Sequence, residues 1–133
     1  MKLKQLLVTA LCSSIIAVAP TSASTTSSAG SCAGAISWNR AAGLVGRVAT
    51  VRGRVAGTHF ASGSSGSPTF LNVGADYPNS RRFVVVIWGR DRSKFRSPES
   101  TYRGKTICVR GLIRSYQGAA EVFASSPSQI AFG

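Results

Sequence analysis

The stretch GKTICVRGLIRSYQG, residues 104–118, decides the fold class of this chain. Its side chains alternate with the period of two that is typical of a β-strand. One face is predicted to point into a core and holds Ile107, Val109, Gly111 and Ile113. The other face is predicted to point outward and holds Cys108, Arg110, Leu112, Arg114 and Tyr116.

A second strand, predicted within RVATVRGRVAG at 47–57, also carries an interior glycine, Gly53. Its inward face is predicted to hold Ala49, Val51, Gly53 and Val55, and its outward face Thr50, Arg52 and Arg54. Interior glycines weaken a flat strand, but they allow the bulge or close backbone approach that a strongly coiled strand needs. Gly53 and Gly111 therefore favour a small barrel over a flat sheet.

Three more strands complete an all-β prediction. PTFLNVG at 68–74 and RRFVVVIW at 81–88 are two of them, and EVFA at 121–124 follows a turn at Gly118–Ala120. The segment RRFVVVIW, the predicted third strand, is apolar on both faces. Both faces must therefore be covered by other parts of the protein, or one of them binds a ligand. A short helix is predicted from Trp38 to Val45, with Ser37 as its N-cap and Gly46 at its end.

The connectors differ in character. THFASGSSGS at 58–67 is rich in glycine and serine and is predicted to be flexible. Residues 89–104 form a long charged connector with room for one helical turn. Five strands and one early helical segment thus fit into about a hundred residues, which is enough for a modest core.

The first residues have the composition of an export signal. Lys2 and Lys4 precede an apolar run that is too short to span a bilayer, and Thr21–Ala23 is a small-residue cleavage site. The predicted organisation is a signal peptide at 1–23, a flexible leader at 24–35 and one domain at 36–133. This predicts a periplasmic or secreted protein; the alternatives are a buried N-terminal helix and an uncleaved anchor.

Net charge is the most unusual bulk property. The chain carries 16 Lys and Arg residues against 4 Asp and Glu residues, a net charge of +12. A polyanionic partner follows, either nucleic acid, anionic lipid or acidic glycan. Because most of these cations are arginines, codon composition is an alternative explanation.

Cys32 and Cys108 remain after export, into a compartment that permits disulfides. Two interpretations stay open: a disulfide that closes a loop of about 75 residues, or two unpaired small hydrophobic residues. With His59 they make at most three potential ligands without a short metal-type spacing, so no metal and no cofactor are predicted. The single histidine and four scattered acidic residues give no pair for acid–base work, so no enzyme is predicted either.

Five segments in order resemble bacterial exported nucleic-acid-binding domains of the OB-fold family, named for oligonucleotide and oligosaccharide binding. They are GRVATVRGRV, TFLNVG followed by Tyr77–Pro78, FVVVIW, YRGKTICVRGLIRSYQG and SPSQI, and the resemblance covers about residues 36–132. It implies a five-stranded Greek-key barrel with a short N-terminal helix. It also implies nucleic-acid binding, by analogy with other OB folds.

The chain departs from this family at two positions. The terminal hairpin has Ala120 before Glu121, where family members usually have proline. Arg52 occupies the first-strand position where some exported members carry a cysteine opposite the fourth-strand cysteine. Cys32 is a candidate for that missing partner.

The OB-fold resemblance makes the first and fourth strands neighbours, which predicts one external arginine stripe of Arg52, Arg54, Arg110 and Arg114. Guanidinium groups offer forked donors to phosphate oxygens, and single-strand binding couples such charge to stacking aromatics. Candidate stacking residues are Phe70, Trp88 and Tyr116; each is also a candidate core residue, Phe70 above all. A solvated barrel exterior is the alternative for the arginines.

A further cationic run lies in the connector after the third strand, as Arg90, Arg92, Lys94 and Arg96. It is a candidate clamp for a phosphate backbone, and the alternative is a solvent-exposed loop in which Asp91 partly neutralises its neighbours.

Together these features predict an exported OB-fold module. It would bind nucleic acid, single-stranded DNA or RNA with little sequence preference, through arginines and stacking aromatics. The alternative function is an adaptor outside the cytoplasm that binds an acidic envelope component or a partner protein.

Overall fold

The computed structural model describes residues 16–18 and 31–133, and the fold within them is mainly β. It contains eight strands and only short helices. The strands are β1 (Ile36–Ser37), β2 (Val48–Phe60), β3 (Thr69–Val73), β4 (Phe83–Ile87), β5 (Thr106–Leu112), β6 (Arg114–Tyr116), β7 (Ala119–Phe123) and β8 (Ile130–Phe132). The helices are α1 (Gly89–Arg92), α2 (Pro98–Tyr102) and the 3₁₀ segments Trp38–Leu44 and Pro127–Gln129.

Apart from residues 16–18, the predicted signal peptide at 1–23 lies outside the described residues, and so does most of the leader. None of the helices in residues 16–18 and 31–133 has the length and apolar character that a bilayer crossing requires.

The strands form one hydrogen-bonded sheet in the order β6-β7-β4-β3-β2-β5-β8, with β1 parallel to β2. β2 is long enough to serve two partners: its first half pairs with β5 and its second half with β3. β4 and β7 run parallel, while β6 and β7 form an antiparallel hairpin. Only Ile113 separates β5 from β6, so a single bent stretch of chain joins β6, at one end of the path, to β5, the last strand but one at the other end.

The strand count differs from the five predicted, for an identifiable reason. The predicted fourth strand is divided at Ile113, whose backbone N–H donates to Arg47 and whose carbonyl accepts from Gly46. Beyond it, β6 turns to a new partner, β7. The other two additional strands, β1 and β8, are short and lie outside the predicted set.

The interior glycines are sites of close packing by side chains, where the sequence predicted a bulge or a close approach of the backbone. A Cβ atom on Gly53 would lie 2.5 Å from Val73 Cγ1, and one on Gly111 would overlap Val122 Cγ2. The bend of β2 lies a little further along, where the register with β3 shifts between Val55 and Gly57. Gly53 therefore admits a neighbouring side chain, and the irregularity that redirects β2 follows it.

The main core lies between the two halves of the curled sheet. Its largest fully buried side chains are Phe83, Leu71, Ile87, Ile107 and Ile113. The inward faces predicted for β2 and β5 point into this core. On the opposite face of β4, Val84 and Val86 form a second, smaller cluster with Ala119, so both faces of this strand are covered.

Several predicted boundaries need correction. The N-terminal helix is a 3₁₀ segment that ends at Leu44, and Ser37 makes no side-chain cap hydrogen bond. β2 continues through Phe60 into the stretch predicted as a flexible connector. The connector at 89–104 holds two short helices instead of one turn. The terminal hairpin turns at Gln117 and Gly118, where φ is 49° and 79°, so Ala119 and Ala120 already belong to β7.

A disulfide joins Cys32 to Cys108, which decides between the two interpretations left open by the sequence. The Cα atoms are 5.3 Å apart, and the bond ties the chain before β1 to the middle of β5. Arg52 is the cross-strand partner of Cys108, the position at which the family resemblance implied a cysteine. Cys32 thus reaches Cys108 from upstream in place of a first-strand partner.

Candidate functional site

The outer face of β3, β4, β7 and β6 carries an open groove of about 610 Å³. Side chains from all four strands and from the loop after β3 line it. Those used below are Phe70, Asn72, Asp76, Tyr77, Arg82, Val84, Tyr116 and Glu121. This surface is called the groove from here on.

Strand register arranges the outward side chains of the groove in rows across the sheet. The middle row runs from Asn72 on β3 through Val84 on β4 to Glu121 on β7, and ends at Arg114 on β6. On one side of it lies an aromatic row with Phe70, Val86 and Phe123. On the other side, Tyr116 pairs with Ala119.

Aromatic side chains occupy both the floor and the rim of the groove. Phe70 is half-buried and packs against the Val84 and Val86 cluster, whereas Tyr116 is 61% exposed and Tyr77 is 73% exposed. Two of the three predicted aromatics, Phe70 and Tyr116, thus line the groove. Sequence reasoning missed Tyr77 as a ligand candidate, although the Tyr77–Pro78 pair was part of the family resemblance.

Trp88, the third predicted aromatic, does not line the groove. Its ring packs edge-on against Phe123 with centroids 5.5 Å apart, and Gly66 of the β2–β3 loop approaches it so closely that a Cβ there would lie 2.9 Å from the ring. These contacts hold the β2–β3 loop against the sheet. They also cover part of the Trp88 ring, which leaves less of it free to stack on a ligand.

The predicted stripe of four arginines is divided between two faces. Arg52, Arg54 and Arg110 share the outer face of β2 and β5, where Arg110 donates to Thr50 Oγ1 at 3.3 Å and Arg54 donates to the Gly104 carbonyl at 3.2 Å. Arg114 follows the break at Ile113, so its cross-strand neighbour is Glu121. Its guanidinium carbon lies 4.4 Å from the centre of the Phe123 ring. Arg114 therefore belongs to the groove side of the molecule.

The connector cations form internal contacts of their own. Arg92 makes two hydrogen bonds to the Glu99 carboxylate, at 2.7 and 2.6 Å, and its guanidinium lies 3.7 Å from the centre of the Phe60 ring. This bonding lowers the pKa of Glu99 and raises that of Arg92. Arg92 therefore fastens the connector to β2.

Asp91 partly neutralises its neighbours, as the alternative interpretation of this connector expected. Lys94 Nζ donates to Asp91 Oδ1 at 2.9 Å, and Arg90 Nε lies 3.6 Å from Asp91 Oδ2. The hydrogen bond from Lys94 is the main reason that the pKa of Asp91 is lowered. The last member of the run, Arg96, is exposed.

Glu121 is the most unusual residue of the groove. It is only 7% exposed, and among the described residues no donor forms a hydrogen bond or ion pair with its carboxyl. Burial raises its pKa, and the positive charge of Arg114 partly opposes that rise. Sequence reasoning missed it because the four acidic residues were judged only by their mutual spacing. The available signal was that Glu121 shares one face of the strand with the apolar residues Ala119 and Phe123.

A second carboxylate is held at the edge of the groove by the loop after β3. Asp76 Oδ1 accepts hydrogen bonds from Asn72 Nδ2 at 2.9 Å and from the Tyr77 backbone N–H at 2.8 Å. Gly57 leaves room for it, because a Cβ atom there would overlap the Asp76 carboxylate. Contacts with Asn72, Tyr77 and Gly57 therefore fix the position of the Asp76 carboxylate.

Arg82 brings positive charge to the same edge. Its Nη1 donates to the Asn79 carbonyl at 2.8 Å, and its guanidinium lies 5.1 Å from the centre of the Tyr77 ring. Its buried Nε has no hydrogen-bond partner among the described residues. The groove thus combines aromatic rings with carboxyl and guanidinium groups, a set suited to hydrogen-bonded and stacked ligands.

Within residues 16–18 and 31–133, no group of three or more His, Cys, Asp or Glu side chains could hold a metal ion. His59 lines the groove beside Phe70, its cross-strand partner.

Comparison with known proteins gives structural similarities only. No protein-family model matches the chain, and no curated protein matches it significantly. Among solved structures, an OBody bound to hen egg-white lysozyme has 19% identity and a TM-score of 0.47, with 68% of this chain and 83% of that one covered. A chain of the Schizosaccharomyces pombe Stn1–Ten1 complex has 23% identity and a TM-score of 0.47, with 65% and 58% covered. A putative aspartyl-tRNA synthetase from Leishmania major Friedlin has 14% identity and a TM-score of 0.46, with 86% of this chain and 23% of that one covered.

Proposed function

We propose that this chain is an exported OB-fold module that binds single-stranded nucleic acid in the groove. In this proposal β5 and β6 count as one bent strand, and the short strands β1 and β8 are additions to the barrel, which leaves a five-stranded Greek-key barrel. The observation that carries the proposal is the groove itself, in which exposed Tyr77 and Tyr116 flank a floor that contains Phe70.

Stacking explains why such a groove suits nucleic acid. Flat aromatic side chains on an open surface can each take the face of one base, and this contact tolerates every base because each has a π face. Bases offer these faces only when they are unstacked, as they are in single strands. Tyr116 and Tyr77 project in this way, and therefore a single strand fits the groove better than a duplex.

The charge of the chain supports the same ligand. Arg82 and Arg114 lie beside the groove, and the chain as a whole carries a net charge of +12. Phosphates bound by arginines release counterions, so affinity is expected to fall steeply as salt increases. Stacking and phosphate contacts carry little sequence information, which supports binding with little overall sequence preference.

The disulfide supports the proposed export. Disulfides persist in oxidising compartments such as the periplasm or the extracellular medium, and Cys32–Cys108 is such a bond. The proposed role is binding without catalysis, in the periplasm or after secretion.

The arginine face of β2 and β5 favours a second candidate function. Arg52, Arg54 and Arg110 share this face, and the groove aromatics belong to other strands. A cationic surface without stacking partners suits an acidic glycan or an acidic partner protein. This adaptor function would use the arginine face instead of the groove.

A competition experiment separates the two candidates. A fluorescently labelled single-stranded oligonucleotide is bound to the disulfide-bonded protein, and unlabelled single strand, duplex DNA and heparin are added as competitors while anisotropy is followed. The groove proposal predicts that, when the competitors are added at equal concentrations of negative charge, the unlabelled single strand displaces the labelled oligonucleotide better than duplex DNA or heparin does. Equal displacement by all three polyanions would indicate a charge patch alone and would favour the adaptor.

A further inference from the structure

We propose that the groove prefers bases that carry an exocyclic amino group, and that Glu121 accepts the hydrogen bond from that group. This inference rests on the proposed function and adds a base preference to it. The nucleic acid would therefore be bound most tightly where cytosine, adenine or guanine, and not thymine or uracil, occupies the position over Glu121.

The position of Glu121 allows this contact. It lies in the middle row of the groove, with Val84 and Asn72 beside it and the aromatic residues Phe70 and Tyr116 in the rows to either side. Residues two apart on a strand are separated by about 7 Å, and adjacent strands by about 4.8 Å. A base stacked on an aromatic side chain of one row therefore extends its edge over the middle row.

Glu121 places hydrogen-bond acceptors in this row, which ends at the guanidinium of Arg114 on β6. A carboxylate accepts through both oxygens, and among the described residues no donor occupies those of Glu121. Asn72 donates one amide N–H to Asp76, and its other N–H and its Oδ1 remain for a ligand. Arg114 lies over the Phe123 ring and forms no ion pair with Glu121 among the described residues. A ligand edge that supplies donors thus matches the row.

The burial of Glu121 favours a ligand that donates to its carboxyl. The carboxyl oxygens still reach solvent in the groove, because Arg82 Nε is the one fully buried side-chain polar atom without a partner among the described residues. A carboxyl that is mostly withdrawn from water loses part of its hydration, which a donor from a ligand can replace. Glu121 is more than nine-tenths buried, yet it faces a groove that is open to solvent. An amino group placed over it would satisfy the carboxyl without any change in the strand.

The chemistry of the bases then decides the preference. Cytosine and adenine present an amino group at N4 and N6, whereas thymine presents the carbonyl oxygen O4 in the same place. A carbonyl oxygen over a carboxylate gives no hydrogen bond and leaves two acceptors in contact. Guanine also carries an amino group, at N2.

The test compares two pyrimidine oligonucleotides, which differ little in size. Affinities of the disulfide-bonded full domain for oligo(dC) and oligo(dT) of equal length are measured by anisotropy at one salt concentration. We expect oligo(dC) to bind about tenfold more tightly, the discrimination typical of one good base contact. An oligo(dC) whose cytosines carry two methyl groups on N4 has no amino donor, so it should bind no better than oligo(dT).

The variant Glu121→Gln tests the assigned residue. Its amide offers both a donor and an acceptor, so the preference for oligo(dC) should narrow to within about threefold. Glu99→Gln is the matched control, because it makes the same change of charge on α2, outside the groove lining, and should keep the preference.

The outcomes are distinguishable. Equal binding of the unmodified protein to oligo(dC) and oligo(dT), or a preference that Glu121→Gln leaves intact, would overturn the base preference while the proposed function stands. Absence of binding to either oligonucleotide would overturn the proposed function and this inference together. The dimethylated oligonucleotide keeps the test decisive even where a variant folds poorly.

Discussion

At the scale of single residues, Glu121 shows how a site can be unfavourable for folding. Its strand neighbours Ala119 and Phe123 are apolar, and burial raises the pKa of its carboxyl. A well-packed apolar residue at this position would stabilise the strand better than a buried carboxyl does. A residue that is unfavourable for folding is typically retained where function requires it. The sign of the pKa shift gives a direct test.

Replacement of Glu121 by glutamine is expected to stabilise the domain at neutral pH. A carboxyl whose pKa is raised by folding favours the folded state below its unfolded pKa, near 4.5, and loses this contribution as pH rises through the folded pKa. Glutamine carries no charge to bury, so at pH 7 the variant should be more stable, by ~1 kcal/mol, because burial disfavours the charged form of the carboxyl.

Thermal unfolding at pH 4 and pH 7 checks this expectation. The two proteins should differ at pH 7 and converge at pH 4, where the carboxyl of the wild type is protonated. A variant that is less stable at pH 7 would show that Glu121 is a structural residue with an ordinary environment.

In the proposed function, Tyr116 is one of two exposed aromatic side chains that would stack on bases. It is 61% exposed and contributes little to the core, so Tyr116→Ala should leave the melting temperature unchanged. Base stacking contributes about 1–3 kcal/mol per base, and loss of one ring should weaken oligonucleotide binding by about tenfold. Tyr116→Phe keeps the ring and should bind as the wild type does; anisotropy measures all three. Unchanged affinity of the alanine variant would remove Tyr116 from the site.

Phe70 and Tyr116, two of the candidate stacking residues named from the sequence, both line the groove, and alternation assigns a strand residue to a face. Tyr77 lies in a loop, where alternation does not apply. Trp88 stands one residue after β4, and its ring is covered by Gly66, a contact that spans 22 positions of the sequence. Such long-range contacts leave no local pattern.

At the scale of elements, the break between β5 and β6 decides which arginines act together. Arg110 and Arg114 are separated by an even number of positions, so regular alternation would place both on the outward face. The sequence therefore predicted that they belong to one arginine stripe. The backbone of Ile113 still bonds to Arg47, while β6 pairs with β7. The change of partner carries Arg114 to the groove side, and alternation alone does not reveal a change of partner.

The two arginines offer a matched pair of substitutions. Arg114→Gln should weaken oligonucleotide binding and lower the slope of log affinity against log salt by about one, the effect of one lost phosphate contact. Arg110→Gln makes the same change on the β2–β5 face and should leave both quantities nearly unchanged. Affinities measured at four or more salt concentrations give the slopes. A larger effect at Arg110 would place the ligand on the arginine face.

At the scale of the whole molecule, the disulfide and the curled sheet act together. Cys32–Cys108 ties the chain before β1 to β5, and β5 continues into the groove through β6. The sequence predicted the mainly β class, the core faces and a possible bond between these cysteines. It did not predict eight strands or the division of cations between faces, because these depend on where one strand exchanges partners.

Reduction of the disulfide should lower the free energy of unfolding and leave the affinity for oligonucleotides unchanged. A bond that closes a loop with a sequence separation of 76 typically contributes about 2–4 kcal/mol to the free energy of unfolding. The cysteines are absent from the groove lining, so oligonucleotide affinity below the melting temperature should be unchanged. Denaturant unfolding and anisotropy, each with and without reductant, measure the two effects. A loss of affinity in protein that remains folded would mean that the β2–β5 face takes part in binding.

The most direct test of the groove is a map of the bound surface. Backbone amide resonances of the ¹⁵N-labelled domain are followed by nuclear magnetic resonance during titration with a short single-stranded oligo(dC). The groove account predicts that the largest shifts occur on β3, β4, β6 and β7, around Phe70, Val84, Tyr116 and Glu121. Shifts concentrated around Arg52, Arg54 and Arg110, with the groove unchanged, would contradict it.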